Sequence, residues 1–114
     1  MSFQKKEPVK RVEKFLREFD SNLRVIQLNT SARTALEAAS SLGCDVGAIV
    51  KSLVFKTDDK FTLCLIAGDK KASLNKIKKN LNFKDVSMAS ADEVKKITGY
   101  TIGGVSSIGH LSQI

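Results

Sequence analysis

Histidine and cysteine are scarce in this sequence. Among 114 residues there is one histidine, His110, and two cysteines, Cys44 and Cys64. Two distant cysteines without a C-x-x-C spacing support neither a disulfide framework nor a structural zinc site. Adding one histidine does not complete a tetrahedral metal set. A Ser-His-Asp relay would have to use His110 as its base, and no spacing supports that; a lone histidine near a terminus is more often a surface residue. Long apolar runs are missing too. The longest, Leu63 to Ala67 with Phe61 close by, has strand length and falls far short of the ~20 residues of a membrane helix. The opening Met1-Ser2-Phe3-Gln4-Lys5-Lys6-Glu7 lacks the apolar core of a secretory signal. The nucleotide fingerprints G-x-x-x-x-G-K-[ST] and G-x-G-x-x-G are absent. These absences predict a reduced, cytoplasmic protein with no membrane partner, no metal and no cofactor.

What is present belongs to an ordinary globular chain. Hydrophobic residues make up 42% and charged residues 27%, which excludes disordered and fibrous classes. The length suits one domain, residues 1–114, with a modest core. The net charge is +7, spread over both halves, so there is no basic tail. One segment concentrates it: Lys70, Lys71, Lys76, Lys78, Lys79 and Lys84 fall within 15 residues that contain no acid. Such a stripe is the footprint of a polyanion partner or simply a solvated helix face.

The pattern predicts a helix over 8–22, with Pro8 in its first turn and Val12, Phe15, Leu16 and Phe19 on one face. Arg24 to Leu28 reads as a short strand. Thr34-Ala35-Leu36-Glu37 is a capping box opening an Ala-rich helix that stops at Gly43. Cys44 to Val50 makes a short helical turn or loop. Ser52 to Lys56 and Phe61 to Ala67 read as strands joined by the turn Thr57-Asp58-Asp59-Lys60. A helix follows over 73–81, then a brief strand Val86 to Met88. A second capping box, Ser90-Ala91-Asp92-Glu93, opens a helix that ends at Gly99. Mixed elements with an antiparallel hairpin argue for an α+β fold around a central sheet.

Two features carry chemical interest. Lys51 stands at the start of an apolar strand, in Ile49-Val50-Lys51-Ser52-Leu53-Val54-Phe55. Its flanks bury it in part, so its ammonium reaches either a polar cleft or anionic partner, or snorkels to water. The stretch Thr98 to His110 holds Gly103, Gly104 and Gly109 among apolar residues. It is either a loop whose backbone approaches a ligand, with N–H groups for a carbonyl oxygen or phosphate, or a plain surface turn.

Taken together and in order, several pieces resemble the YbaK / prolyl-tRNA synthetase-associated domain family of trans-editing aminoacyl-tRNA deacylases. They are Ala32-Arg33-Thr34 with the helix to Gly43, Val46-Gly47-Ala48-Ile49-Val50-Lys51-Ser52-Leu53-Val54-Phe55, Gly68-Asp69-Lys70-Lys71, Thr98-Gly99-Tyr100, and Gly103-Gly104-Val105-Ser106. The resemblance implies an α+β domain with a mixed central sheet and flanking helices, and hydrolysis of the ester of a mischarged tRNA, such as Cys- or Ala-tRNA for proline. It implies that Lys51 carries the activity. Gly103, Gly104, Val105, Ser106, Arg33, Thr34, Gly68 and Asp69 would bind substrate, and Lys70, Lys71, Lys76, Lys78 and Lys79 the tRNA backbone. An aminoacyl-tRNA synthetase is an implied partner. Ser107 stands where the family usually has proline. Family domains also run further, through closing strands and a C-terminal helix, whereas the sequence given ends at Ile114. A domain shortened in this way would leave the apolar positions Ile102, Val105, Ile108, Leu111 and Ile114 uncovered and a sheet edge free for homo-oligomer formation. A non-catalytic RNA-binding module and an inactive remnant are the alternative expectations.

Overall fold

The computed structural model describes residues 6–28 and 32–114. Among the described residues there are four helices, α1 (Glu7–Phe19), α2 (Ala35–Leu42), α3 (Leu74–Asn80) and α4 (Ala91–Thr98), and three strands, β1 (Val50–Thr57), β2 (Lys60–Ala67) and β3 (Val86–Met88). A single 3-10 turn, Val46–Ala48, leads into β1. The sheet order is β2-β1-β3, and both pairings are antiparallel. The α+β class is as expected. The sheet is a correction: among the described residues it is antiparallel throughout and not mixed, because hairpin and return connections place each neighbour antiparallel to β1. No helix among the described residues is long and apolar enough to cross a membrane.

β1 and β2 form a hairpin in register from Val50 opposite Ala67 to Thr57 opposite Lys60. β1 therefore begins earlier than the pattern predicts, and Lys51 lies inside the strand, opposite Ile66. At the turn Asp58 takes φ +55°, a left-handed conformation that aspartate tolerates when its side chain bonds locally. Its carboxylate accepts the N–H groups of Lys84 (3.0 Å) and Asp85 (2.8 Å), and its own N–H donates to Asp85 O. One aspartate thus fastens the hairpin tip to the start of β3.

β1 is the central strand, and Val54 and Phe55, which point to opposite faces, are both buried. Val54 packs with Ala89 and Val94, and Phe61, Leu63 and Val105 close around them. Phe55 is fully buried, a contribution of about 1.5–3 kcal/mol for one side chain. Buried Thr57 shares a hydrogen bond with Thr62 across the hairpin (2.8 Å), so its hydroxyl is not stranded in the core.

Two sequence expectations fail at the N-terminal end. The first helix stops at Phe19 and does not run to 22. Asp20 ends it, because its carboxylate accepts the N–H of Asn22 (2.9 Å) and turns the chain. Residues 24–28 form no strand, and Ile26 is 70% exposed. β-branched residues make a strand only where a ladder partner and a covered face exist, and among the described residues no strand pairs with them. His110, expected at the surface, is half-buried and bonded within the C-terminal loop. Of the five apolar tail positions, Ile102, Leu111 and Ile114 are exposed, while Val105 packs on the core.

The caps form where the sequence places them. Thr34 Oγ1 accepts from Glu37 N–H, which is one half of the expected capping box, and α2 ends at Gly43 with φ +69°. α4 has a complete capping box between Ser90 and Glu93 and ends at Gly99 with φ +79°. The backbone N–H and hydroxyl of Ser90, aided by nearby Lys56, hold the Glu93 carboxyl below its usual range. A lowered folded-state pKa means that stability from this group is present above the ordinary carboxylate pKa and is lost as pH falls through the lowered value. Glu93→Gln keeps an acceptor for the Ser90 N–H but cannot titrate. The variant should lose less stability than wild type on acidification below about pH 4.3, as denaturant midpoints measured across the acid range will show.

Candidate functional site

β3 pairs with β1 only at Phe55–Thr57. Upstream, the Val50–Leu53 half of β1 has no strand on that side among the described residues, and a cleft of about 580 Å³ opens there. Its walls are the Ala32–Ala38 segment, the 3-10 turn, the start of β1, Gly68 and the loop residues Gly103 and Val105. Apolar side chains such as Leu36, Val46, Ile49 and Leu53 line it beside two cations, Arg33 and Lys51, and no lining residue is acidic. Such a cleft suits an apolar group attached to an anion.

Lys51 is half-buried in this wall. Its ammonium donates to the carbonyl of Lys70 (2.5 Å). One of its three protons is thereby committed, which fixes the head group, and two remain for a ligand. The carbonyl sits at the beginning of the lysine stripe, so the cleft cation and the stripe meet at the loop that follows β2.

Gly68 explains why this corner is so close. Its N–H donates to Ile49 O (2.6 Å). A side chain there would collide with the Val46 carbonyl oxygen and stand 3.0 Å from Ala35 Cβ. Gly68→Ala should therefore destabilise the domain by roughly 1–3 kcal/mol, read as a lowered denaturation midpoint, because two backbone segments and α2 would have to separate.

The residues implied by resemblance divide clearly. Arg33, Thr34, Lys51, Gly68, Gly103 and Val105 come together in the cleft. Gly103, with φ +85°, faces open space. Gly104, Ser106 and Asp69 do not line it. The N–H of Gly104 is already given to Thr101 O (2.8 Å), so it is not a free donor for an oxyanion. Ser106 accepts from Ile108 N–H with its hydroxyl (3.2 Å) and from His110 with its carbonyl (2.7 Å). Asp69 rests its carboxylate against Gly47. Sequence reasoning missed the apolar lining. Leu36, 68% exposed in a helix of small residues, was the signal that could have marked α2 as a cleft wall.

The stripe is exposed along its length: Lys70 and Lys71 follow β2, Lys76, Lys78 and Lys79 lie on α3, and Lys84 precedes β3. Lys71 and Lys76 also rim a smaller cleft of about 370 Å³ between β2 and α3, which includes Cys64. Burial pushes the Cys64 thiol up, so at neutral pH it is a protonated and weakly reactive group. Cys44 and Cys64 are both free.

Comparison with known proteins identifies the family. The family model of the aminoacyl-tRNA editing domain matches residues 29–114. The proline–tRNA ligase of Caldicellulosiruptor bescii is 40% identical over 79 residues, 69% of this chain and 14% of the ligase. The Bacillus subtilis protein YwhH is 37% identical over 86 residues, 75% of this chain and 54% of that protein. The chain thus spans a small part of the ligases and about half of YwhH. A crystal structure of a protein proposed to be a trans-editing enzyme for prolyl tRNA synthetase superposes with a TM-score of 0.88 at 35% identity, covering 96% of this chain and 69% of the other. With three quarters of its length matched by the family and the fold shared almost end to end, the chain belongs to the aminoacyl-tRNA editing domain family.

Proposed function

We propose that the domain hydrolyses the ester bond of a mischarged aminoacyl-tRNA, with the aminoacyl end in the 580 Å³ cleft and Lys51 as the residue on which activity depends. The observation that carries this reading is the anchored ammonium of Lys51 in an apolar cleft beside the lysine stripe. An apolar side chain fits among Leu36, Val46 and Ile49, and the terminal phosphate region fits against Lys51 and Arg33. Lys70, Lys71, Lys76, Lys78 and Lys79 continue outward from that point as phosphate contacts for the acceptor strand.

The chemistry asks little of the protein. Water adds to the ester carbonyl, the bond to the ribose oxygen breaks, and a free amino acid and a tRNA with a terminal hydroxyl result. The ester is already activated, so holding it and a water in reacting geometry, with positive charge near the developing oxyanion, supplies the acceleration. The substrate class is a small amino acid, alanine or cysteine, on a proline tRNA, and the cytoplasm is the place of work beside prolyl-tRNA synthetase. A deacylation assay on a panel of mischarged tRNAs tests this. The 114-residue chain should release alanine or cysteine from proline tRNA and leave correctly charged tRNA intact. Absence of hydrolysis across the panel would refute it.

A further inference from the structure

Three side chains outside the cleft converge on the base of the loop that supplies Gly103 and Val105. Arg11 reaches across from α1, its side chain only 13% exposed. Its Nε donates to Gly109 O (2.7 Å) and its Nη2 to Thr98 O (3.4 Å), while Nη1 is held by both oxygens of Glu7. The guanidinium lies over the Tyr100 ring, 4.6 Å from its centroid. Buried Tyr100 shares its hydroxyl proton between Ile108 O (2.8 Å) and Gly109 O (2.9 Å). His110 stands edge-on to the same ring at 5.9 Å and reaches Ser106 O with Nε2 (2.7 Å). A carbonyl only accepts, so Nε2 carries the proton in this contact.

These donors satisfy the carbonyls of Thr98, Ser106, Ile108 and Gly109. The backbone closes the same base, with Leu111 N–H on Thr98 O and Ser112 N–H on Ile97 O. The fit leaves no slack: a side chain at Gly99 would stand 2.5 Å from Arg11 Nη2, and one at Gly109 2.8 Å from the Tyr100 hydroxyl. α1 has no fully buried residue, and its Arg11 is turned to the carbonyls of Thr98 and Gly109 at the loop base. The loop tip, by contrast, is held by little besides Val105 on the core and the Gly104–Thr101 bond.

We propose that Arg11, Tyr100 and His110 form a clamp of positioning residues that sets the Gly103–Val105 wall of the cleft. None of them lines the cleft, so each acts through the loop. The catalytic consequence rests on the deacylase reading; the structural consequence does not. A loop wall displaced by a fraction of an ångström loosens the reacting geometry, which is worth about tenfold in rate.

Tyr100→Phe keeps the ring under Arg11 and deletes only the hydroxyl. In the 114-residue chain its Gly103 and Val105 amide resonances should shift while those of the β1–β2 hairpin stay. Its kcat on mischarged tRNA should fall about tenfold with KM nearly unchanged, since the tRNA-gripping lysines are elsewhere. His110→Ala should behave alike, and His110→Gln, whose amide can still donate to Ser106 O, should restore turnover to within a few-fold. Unshifted Gly103 and Val105 resonances in a folded Tyr100→Phe variant, or wild-type kcat, would overturn the clamp. If the wild-type chain hydrolyses no ester, the deacylase reading fails and the amide resonances alone decide: shifted, the clamp stands; unshifted, it falls.

Discussion

Lys51→Ala should reduce ester hydrolysis by about 100-fold or more, the scale seen when one electrostatic stabiliser is removed from a site. Circular dichroism should not change. Lys51 projects from the part of β1 that borders the cleft, and the bond it makes is to the carbonyl of exposed Lys70, which water can satisfy. The strand itself is held by its register with β2, from Val50 to Thr57, and by Val54 and Phe55 in the core. Lys51→Arg should fail as well. A planar fork spreads its charge and needs more width than a compact ammonium seated against a carbonyl. Single-turnover release of labelled amino acid is the measurement, and wild-type rates in Lys51→Ala would remove Lys51 from the mechanism.

Neutralising Lys76, Lys78 and Lys79 together, each to Gln, should weaken every tRNA to the same degree. Removing one phosphate-binding lysine should lower the slope of log K against log salt by about 0.7–0.9, so the three together should lower it by roughly 2.1–2.7. All three lie exposed on α3, where they reach phosphates without reading bases. Lys78 and Lys79 are in the last turn of α3 and favour its negative end, so their removal also costs the helix about 0.3–1 kcal/mol each. The fold should survive because α3 carries no fully buried residue. Filter binding at several salt concentrations with different tRNAs decides the matter. Selective weakening of one tRNA would make the stripe a reader of identity and not an electrostatic grip.

Both predictions depend on placements of different legibility. The stripe was visible in the chain itself, since closely spaced lysines without acids are exposed wherever they fold. Lys51 was marked by its apolar flanks, but its partner was not. The bond to Lys70 O joins residues 19 apart through a hairpin register and a turn, and no local pattern encodes such a distance. The family resemblance pointed to the glycine pair as one unit. The structure separates them: Gly103 faces the cleft with φ +85°, and Gly104 spends its N–H on Thr101.

Local chemistry was determined by the sequence alone. Thr34, Ser73 and Ser90 cap their helices, Gly43 and Gly99 end theirs in left-handed turns, and the β1–β2 hairpin forms about Asp58-Asp59. Each of these depends on groups a few residues apart, so the free energy is decided within one turn of chain. Tertiary structure decided the rest. Residues 24–28 have strand-forming side chains and no strand, because among the described residues no partner strand accepts them. His110 is a half-buried brace and not a surface group, because Tyr100 and Ser106 fold back to meet it. The cleft opens where β3 is short and, among the described residues, the Val50–Leu53 half of β1 has a strand on its β2 side alone. Such features arise from contacts between distant segments, whose geometry depends on the packing of the whole chain and not on any window of it.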